Sequence, residues 1–262
     1  MTDDLDDARV LLCRTATEAV NRTAQNLEAA VCAAVAARGH AAIALSGGST
    51  PRPLYDLLAT PAWKSRLPWQ QLWVFFADER AVPHSSSESN GGTILRQLLV
   101  PNGVPMTQVN FMPTASFDIA GAASDYEATL RKKLGDPPRF DFVLLGLGDD
   151  GHTASLFPGS SVLAPTARLV LPSIAPHAAT KQRLTLTATA INYAREVVFL
   201  VTGAAKRDAV HGTLAGPDVP ARYPAQLIEP ADGTLTWILD VAAAGVPPDA
   251  VGFASAETPP AA

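Results

Sequence analysis

Four short apolar runs, Ala41 to Leu45, Leu72 to Ala77, Phe142 to Leu145 and Val197 to Val201, each stop abruptly at a polar or glycine-rich loop, with helix-like sequence behind most of them. Short, continuous apolar runs suit strands buried on both faces, and strands that alternate with helices build a mostly parallel sheet. The expected class is therefore α/β, a mostly parallel sheet with helices on both faces. Leu235 to Leu239 reads as a last strand. Between Ala16 and Arg38, Val20, Ala24, Leu27, Val31, Ala34 and Val35 recur at spacings that lay one apolar stripe along a helix, and Gly39 is its natural stop. Pro51 suits the first turn of a helix, with Ser49 or Thr50 as its N-cap. A further helix is expected from about Gly92 to Leu99, after the Ser-rich loop from His84 to Asn90.

No repeat or linker divides the 262 residues, so a single domain is expected over 1–262, with a frayed N-terminus (1–8) and a frayed, Pro-containing tail (246–262). Hydrophobic residues make up 47% and charged residues 17%, enough apolar surface for a core and too little charge for disorder. A net charge of −5 gives no global field for nucleic acid or anionic lipid, so any anionic ligand must be held locally. The two cysteines, Cys13 and Cys32, lie in or near Ala-rich helical sequence and read as buried thiols; a structural zinc site of three or four cysteines is excluded by count. The Asp-rich start lacks the basic and apolar regions of a secretory signal, and Ala29 to Ala37 has about half the length needed to cross a bilayer. These features predict a soluble, cytoplasmic protein with no membrane or nucleic-acid partner; they leave protein partners unknown.

In an open parallel sheet, ligands bind beyond the carboxyl ends of the strands, which is where the unusual loops fall. Ser46, Gly47, Gly48, Ser49 and Thr50 offer uncovered backbone N–H groups, hydroxyls and the positive end of a helix, the requirements of an anion site. No Lys follows at Walker spacing, and Pro51 occupies the second glycine position of a nucleophile elbow. Gly146 to Gly151 formally matches G-x-G-x-x-G, but Asp149 and Asp150 would face a pyrophosphate, and no acid follows Asp150 until Glu196 to hold a ribose. The acid-free interval holds His152, Arg168, His177, Lys181 and Arg183, which read equally as a positive cleft or as surface scatter.

An unperturbed imidazole titrates near pH 6.5 and can take a proton from water, and a nearby carboxylate such as Asp150 can orient it. His152, on a glycine-lined turn after a strand, is thus the candidate base, whereas His40, His84, His177 and His211 lack that setting and read as surface or packing residues. Arg80 can fork onto a phosphate or pair internally with Asp78 or Glu79. Lys206, in the first turn of an expected helix, opposes the dipole there and hints at an offsetting anion.

Ser46-Gly-Gly-Ser-Thr-Pro51, Asp78-Glu-Arg80 with Val82-Pro83 and Ser89-Asn90, and Gly146-x-Gly-x-Asp-Gly-His-Thr-Ala-Ser-Leu-Phe-Pro-Gly159 run collinearly with Arg183-Leu-Thr185, Gly203-x-x-Lys206 and Pro224-Ala-Gln226. In these segments the chain resembles the glucosamine-6-phosphate isomerase/6-phosphogluconolactonase family, on its lactonase side. The resemblance implies a sugar-phosphate isomerase-like fold, hydrolysis of 6-phospho-D-glucono-1,5-lactone in the pentose phosphate pathway, and no cofactor. It places His152 as general base, with Asp78, Arg80 and Lys206 lining the site. Chemistry and resemblance together nominate His152, Asp78 and Asp150 as catalytic, and Ser46, Gly47, Gly48, Ser49, Thr50, Arg80, Arg183 and Lys206 as phosphate- or substrate-binding, with no metal. Gly91 departs from the family's frequent aromatic. Deaminase relatives continue Gly-His-Ile-Ala-Phe-Asn-Glu-Pro, where this chain has Phe157 in place of the carboxylate, and usually carry tyrosine in place of Arg80. The alternatives are an isomerase or deaminase of an amino sugar phosphate, and a non-catalytic sugar-phosphate sensor.

Overall fold

The computed structural model describes residues 8–114 and 118–247. Its strands are β1 (Ala8–Cys13), β2 (Ala41–Leu45), β3 (Leu72–Phe76), β4 (Asp78–Arg80), β5 (Phe142–Leu145), β6 (Val170–Ile174), β7 (Gln182–Leu186), β8 (Glu196–Val201) and β9 (Thr234–Asp240). Its α-helices are α1 (Ala16–Arg38), α2 (Arg52–Leu58), α3 (Pro61–Lys64), α4 (Asn90–Ile94), α5 (Ile119–Leu134), α6 (Ala188–Asn192), α7 (Arg207–Leu214) and α8 (Val241–Ala244). The main sheet has six strands in the order β1-β9-β8-β5-β2-β3, and every pairing in it is parallel.

Burial on both faces explains the unbroken apolar runs. Along β2, Ala42 and Ala44 enter one apolar cluster while Ile43 and Leu45 enter the other, the period-two alternation of a strand. Residues of α1 and α2 fill the second cluster. The first is filled by α5, α6 and α7, and also by Val170, Leu184 and Leu186 of a second, three-stranded antiparallel sheet, β4-β7-β6. Helices thus cover both faces of the main sheet, as expected, and the small antiparallel sheet, which was not expected, covers part of one of them.

Helix α1 keeps its expected bounds: Thr15 accepts a hydrogen bond from the Glu18 N–H, and Gly39, at φ 79°, closes the other end by donating to the Val35 carbonyl. Other local expectations change. β1 was not foreseen, and Ala8 lies within it, so fraying does not extend to residue 8; residues 1–7 and all of the tail beyond residue 247 lie outside the described residues. Pro51 itself occupies the N-cap of α2, and neither Ser49 nor Thr50 caps it by a side chain. α4 starts two residues earlier than expected, at Asn90, because the Ser89 hydroxyl accepts from the Gly92 N–H; it continues as a wider π turn over Leu95–Leu99. Cys13 is buried, and burial, followed by the charge of Glu18, pushes its thiol up to about 11; Cys32, contrary to expectation, is exposed. Both are free thiols. Among the described residues no helix is long and apolar enough to cross a membrane.

The sheet positions the site through Ala77. Its N–H donates to the Leu45 carbonyl of the main sheet, and its carbonyl accepts from Leu186 N–H of the small one. Asp78-Glu79-Arg80, expected as a loop, therefore forms strand β4, paired with Thr185, Leu184 and Arg183.

Candidate active site

The loops after β2, β5 and β8 meet β4 and β7 around one cleft of about 410 Å³. Ser46, Gly47, Gly48, Ser49, Thr50, Asp78, Arg80, Asp150, His152, Arg183 and Lys206 all line it. The loops that the sequence places beyond the strand ends therefore share one cleft.

A tight turn, closed by Gly151 N–H on the Gly148 carbonyl at 3.0 Å, presents Asp149 and Asp150 at its tip. Asp150 Oδ1 lies 2.5 Å from His152 Nδ1 and accepts the His152 backbone N–H at 3.1 Å. A carboxylate on Nδ1 selects the tautomer protonated there, leaving Nε2 with its lone pair. Burial alone would raise the Asp150 carboxyl; the hydrogen bonds and charge of His152 outweigh it and hold the carboxyl below its ordinary range. Gly148 makes this approach possible, since a Cβ there would fall 2.7 Å from Asp150 Oδ1 and nearer still to the imidazole. The ring of Phe157 stands against His152, with centroids 4.7 Å apart.

Asp78 is buried, with Oδ2 accepting from Ser155 Oγ at 2.6 Å and Oδ1 from Asn90 Nδ2 at 3.1 Å. Asn90 in turn packs on Gly47, where a Cβ would fall 2.9 Å from the asparagine Cβ. Glu79, also buried, accepts from the backbone N–H groups of Arg80, Asn90 and Gly91 and from Ser89 Oγ. That carboxylate fixes the 89–91 turn and forms no ion pair with Arg80.

Arg80 and Arg183 stand directly opposite each other across β4 and β7, a like-charge placement that is unfavourable without an anion. Their guanidinium groups donate to carbonyls: Arg80 to Glu88, Arg183 to Thr180 and Gln182. Burial and then the charge of Arg80 push the Arg183 guanidinium down, with Asp78, Glu88 and Glu79 opposing. Lys206 sits in a 3-10 turn (Ala204–Lys206) at the N-cap of α7, not within its first α-turn, and its ammonium meets Asp149 Oδ1 at 2.6 Å. At the glycine loop, Ser46 Oγ is buried without a hydrogen-bond partner, and Gly48 adopts φ 104°, a left-handed conformation that favours glycine. Two facing guanidinium groups with no carboxylate in ion-pair contact, an orphaned hydroxyl and a glycine loop give the cleft the means to bind an anion.

Sequence reasoning missed several wall residues. His177, read as surface or packing, lines the cleft with Asn90, Ser155 and Phe157; only the antiparallel β6–β7 connection, invisible without the second sheet, brings it there. The space opened at Gly91 is taken by Phe111, which a Cβ at Gly91 would meet at 2.8 Å. Among the described residues no group of three or more His, Cys, Asp or Glu is placed to hold a metal ion.

The family model described as "Glucosamine-6-phosphate isomerases/6-phosphogluconolactonase" matches residues 14–237. The chain is 43% identical over 211 residues to a 6-phosphogluconolactonase of Synechocystis sp., covering 79% of this chain and 85% of that one. A Nostoc sp. 6-phosphogluconolactonase is 38% identical over 214 residues, covering 80% and 86%. Among solved structures, 6-phosphogluconolactonase from Trypanosoma cruzi superposes with a TM-score of 0.79 at 30% identity, covering 91% of this chain and 96% of that one.

Proposed function

The chain belongs to the glucosamine-6-phosphate isomerase/6-phosphogluconolactonase family, and we propose that it hydrolyses 6-phospho-D-glucono-1,5-lactone to 6-phospho-D-gluconate in the cytoplasmic pentose phosphate pathway. The observation that carries the reading is the setting of His152, with Asp150 on Nδ1 and the Phe157 ring against its side. That is the equipment of one base acting on water. Moving a proton between C1 and C2 of an open sugar needs a further acid/base group beside the histidine, and an aromatic ring occupies that place.

In this mechanism His152 Nε2 takes a proton from a water whose oxygen attacks the lactone carbonyl. Asp150 stabilises the imidazolium that results, as a carboxylate does in a hydrolase triad. The tetrahedral oxyanion collapses, the ring C–O bond breaks, and the imidazolium returns its proton to the departing alkoxide. Ser46 to Thr50, Arg80, Arg183 and Lys206 anchor the phosphate, which converts binding into orientation at the carbonyl. Asp78, with both oxygens already hydrogen-bonded, serves to position substrate and cleft wall.

The test is hydrolysis of freshly generated lactone, corrected for spontaneous opening, alongside glucosamine 6-phosphate. Lactonase activity is expected, and His152→Ala should lower kcat at least about 10²-fold with little change in KM. Ammonia release from glucosamine 6-phosphate that depends on His152 would overturn the reading, as would a His152→Ala variant with ordinary lactone turnover.

A further inference from the structure

The turn from Gly148 to Gly151 carries two adjacent carboxylates, and they serve different partners. Asp150 turns to His152, whereas Asp149 meets Lys206, 57 positions on in sequence. Of the three cations that line the cleft beside the glycine loop, Lys206 alone among the described residues has a carboxylate within ion-pair distance; Arg80 and Arg183 donate to neutral carbonyls, and the carboxylates of Asp78, Glu88 and Glu79 act on Arg183 only from beyond ion-pair contact. The pair is also lopsided. The lysine side chain is 21% exposed and lines the cleft, while the aspartate is 69% exposed and is not among the lining residues. An ammonium has three donors and can meet a second anion. A phosphate dianion arriving at Lys206 therefore meets either a carboxylate already on the lysine or one close enough to repel it.

We propose that Asp149 is a built-in competing counterion for Lys206, which substrate phosphate must displace and which lowers the affinity of the free cleft for phosphate and similar oxyanions. The proposal rests on the reading that Lys206 anchors the substrate phosphate. Release of Asp149 is easy because it swings from an exposed pair into water, where such pairs hold only weakly. The turn itself is closed by backbone bonds, Gly151 N–H to Gly148 and Gly148 N–H to the His152 carbonyl, so the His152–Asp150 pair keeps its place when the lysine contact is lost. The effect of Asp149 thus falls on binding rather than on the chemical step. Asp149 also differs from a brace in sign: removing a brace weakens phosphate binding, and removing a competitor strengthens it.

The experiment compares Asp149→Asn and Asp149→Ser with the unaltered protein, measuring KM and kcat for the phosphorylated lactone and the inhibition constant of inorganic phosphate at two ionic strengths. Both variants should lower KM and the phosphate inhibition constant together, by about two- to fivefold at low salt, and the gap should shrink as salt screens the charges. A raised KM, a lowered kcat, or unchanged constants in both variants would each overturn the proposal. Lys206→Met separates this from failure of the underlying reading: it should weaken phosphate inhibition, and if it does not, the phosphate is anchored elsewhere and both fall.

Discussion

Replacing Gly148 by alanine tests whether the closeness of its backbone to the His152–Asp150 pair matters to catalysis. The new methyl carbon would lie 2.7 Å from Asp150 Oδ1 and closer to the imidazole, where unbonded heavy atoms settle at about 3.5–4.0 Å. The ring and the carboxylate must therefore retreat by roughly 1 Å or more, which takes the Nδ1···Oδ1 contact from 2.5 Å beyond hydrogen-bonding range. The yielding group is a side chain 32% exposed, so rotation of the imidazole relieves the clash without opening the core. Gly148 is also absent from the left-handed glycines, and an alanine there carries no backbone strain. Stability should change by no more than about 1 kcal/mol, or roughly 2–4 °C in Tm for a chain of this size.

A base displaced by about 1 Å loses on the order of 10²-fold in rate. Gly148→Ala should thus lower kcat about 10²-fold and leave KM within about threefold. The assay is the same corrected lactone hydrolysis, run with thermal denaturation on the same preparations. The double variant Gly148→Ala/His152→Ala supplies the decisive arm, because two changes that act on one group are not additive. It should be no slower than His152→Ala alone. A kcat for Gly148→Ala within threefold of the starting protein, or losses that multiply in the double variant, would refute the reasoning.

Arg80→Ala removes one of two facing guanidinium groups; at about 1.5–3 kcal/mol for a charge-assisted hydrogen bond, inhibition by inorganic phosphate should weaken by roughly 10- to 100-fold, with kcat changed far less. Undiminished phosphate inhibition would place the anion site away from Arg80. At the opposite end of the sheet, burial raises the Glu196 carboxyl from 4.5 to about 7, with Arg9 opposing. The folded state then binds a proton that the unfolded state has released, so stability falls as pH rises from about 4.5 to 7 and stays lower above that. Glu196→Gln should accordingly raise Tm at pH 8 and leave it unchanged near pH 4; an equal shift at both values would show that the side chain acts through packing instead.

What the sequence disclosed follows from locality. The strand-ending loops of the parallel sheet could be read because a buried strand is an unbroken apolar run, and because ligand sites in such sheets lie at one edge. The small sheet escaped because nothing local marks it. β4 is three residues, Asp-Glu-Arg, and its first two side chains are buried polar groups satisfied by Ser155, Asn90 and the 89–91 backbone. Only pairing with β7, more than a hundred residues away, makes it a strand. β1 escaped for a different reason: it is an edge strand paired on one side with β9, its outer residues Arg9 and Val10 are exposed, and its short apolar run, Val10 to Cys13, ends two residues before α1 with no glycine-rich loop to mark it.

Asp149 and Asp150 show how far a charge pattern carries. Their two negative charges, which would repel a pyrophosphate at the Gly146–Gly151 loop, count against a dinucleotide together with the lack of a ribose-binding acid before Glu196. Charge count alone, however, is consistent with two idle surface carboxylates. The partner of Asp150 lies two residues on, and the sequence could suggest it; the partner of Asp149 lies 57 away and could not be seen. Contact with Lys206 changes the meaning of both residues, because the lysine placed against the helix dipole already has its offsetting anion within the protein. If Lys206 anchors the substrate phosphate as proposed, that phosphate competes for the cation with Asp149, and the strength of the competition depends on the chemistry of position 149 rather than on the residues that touch the lactone.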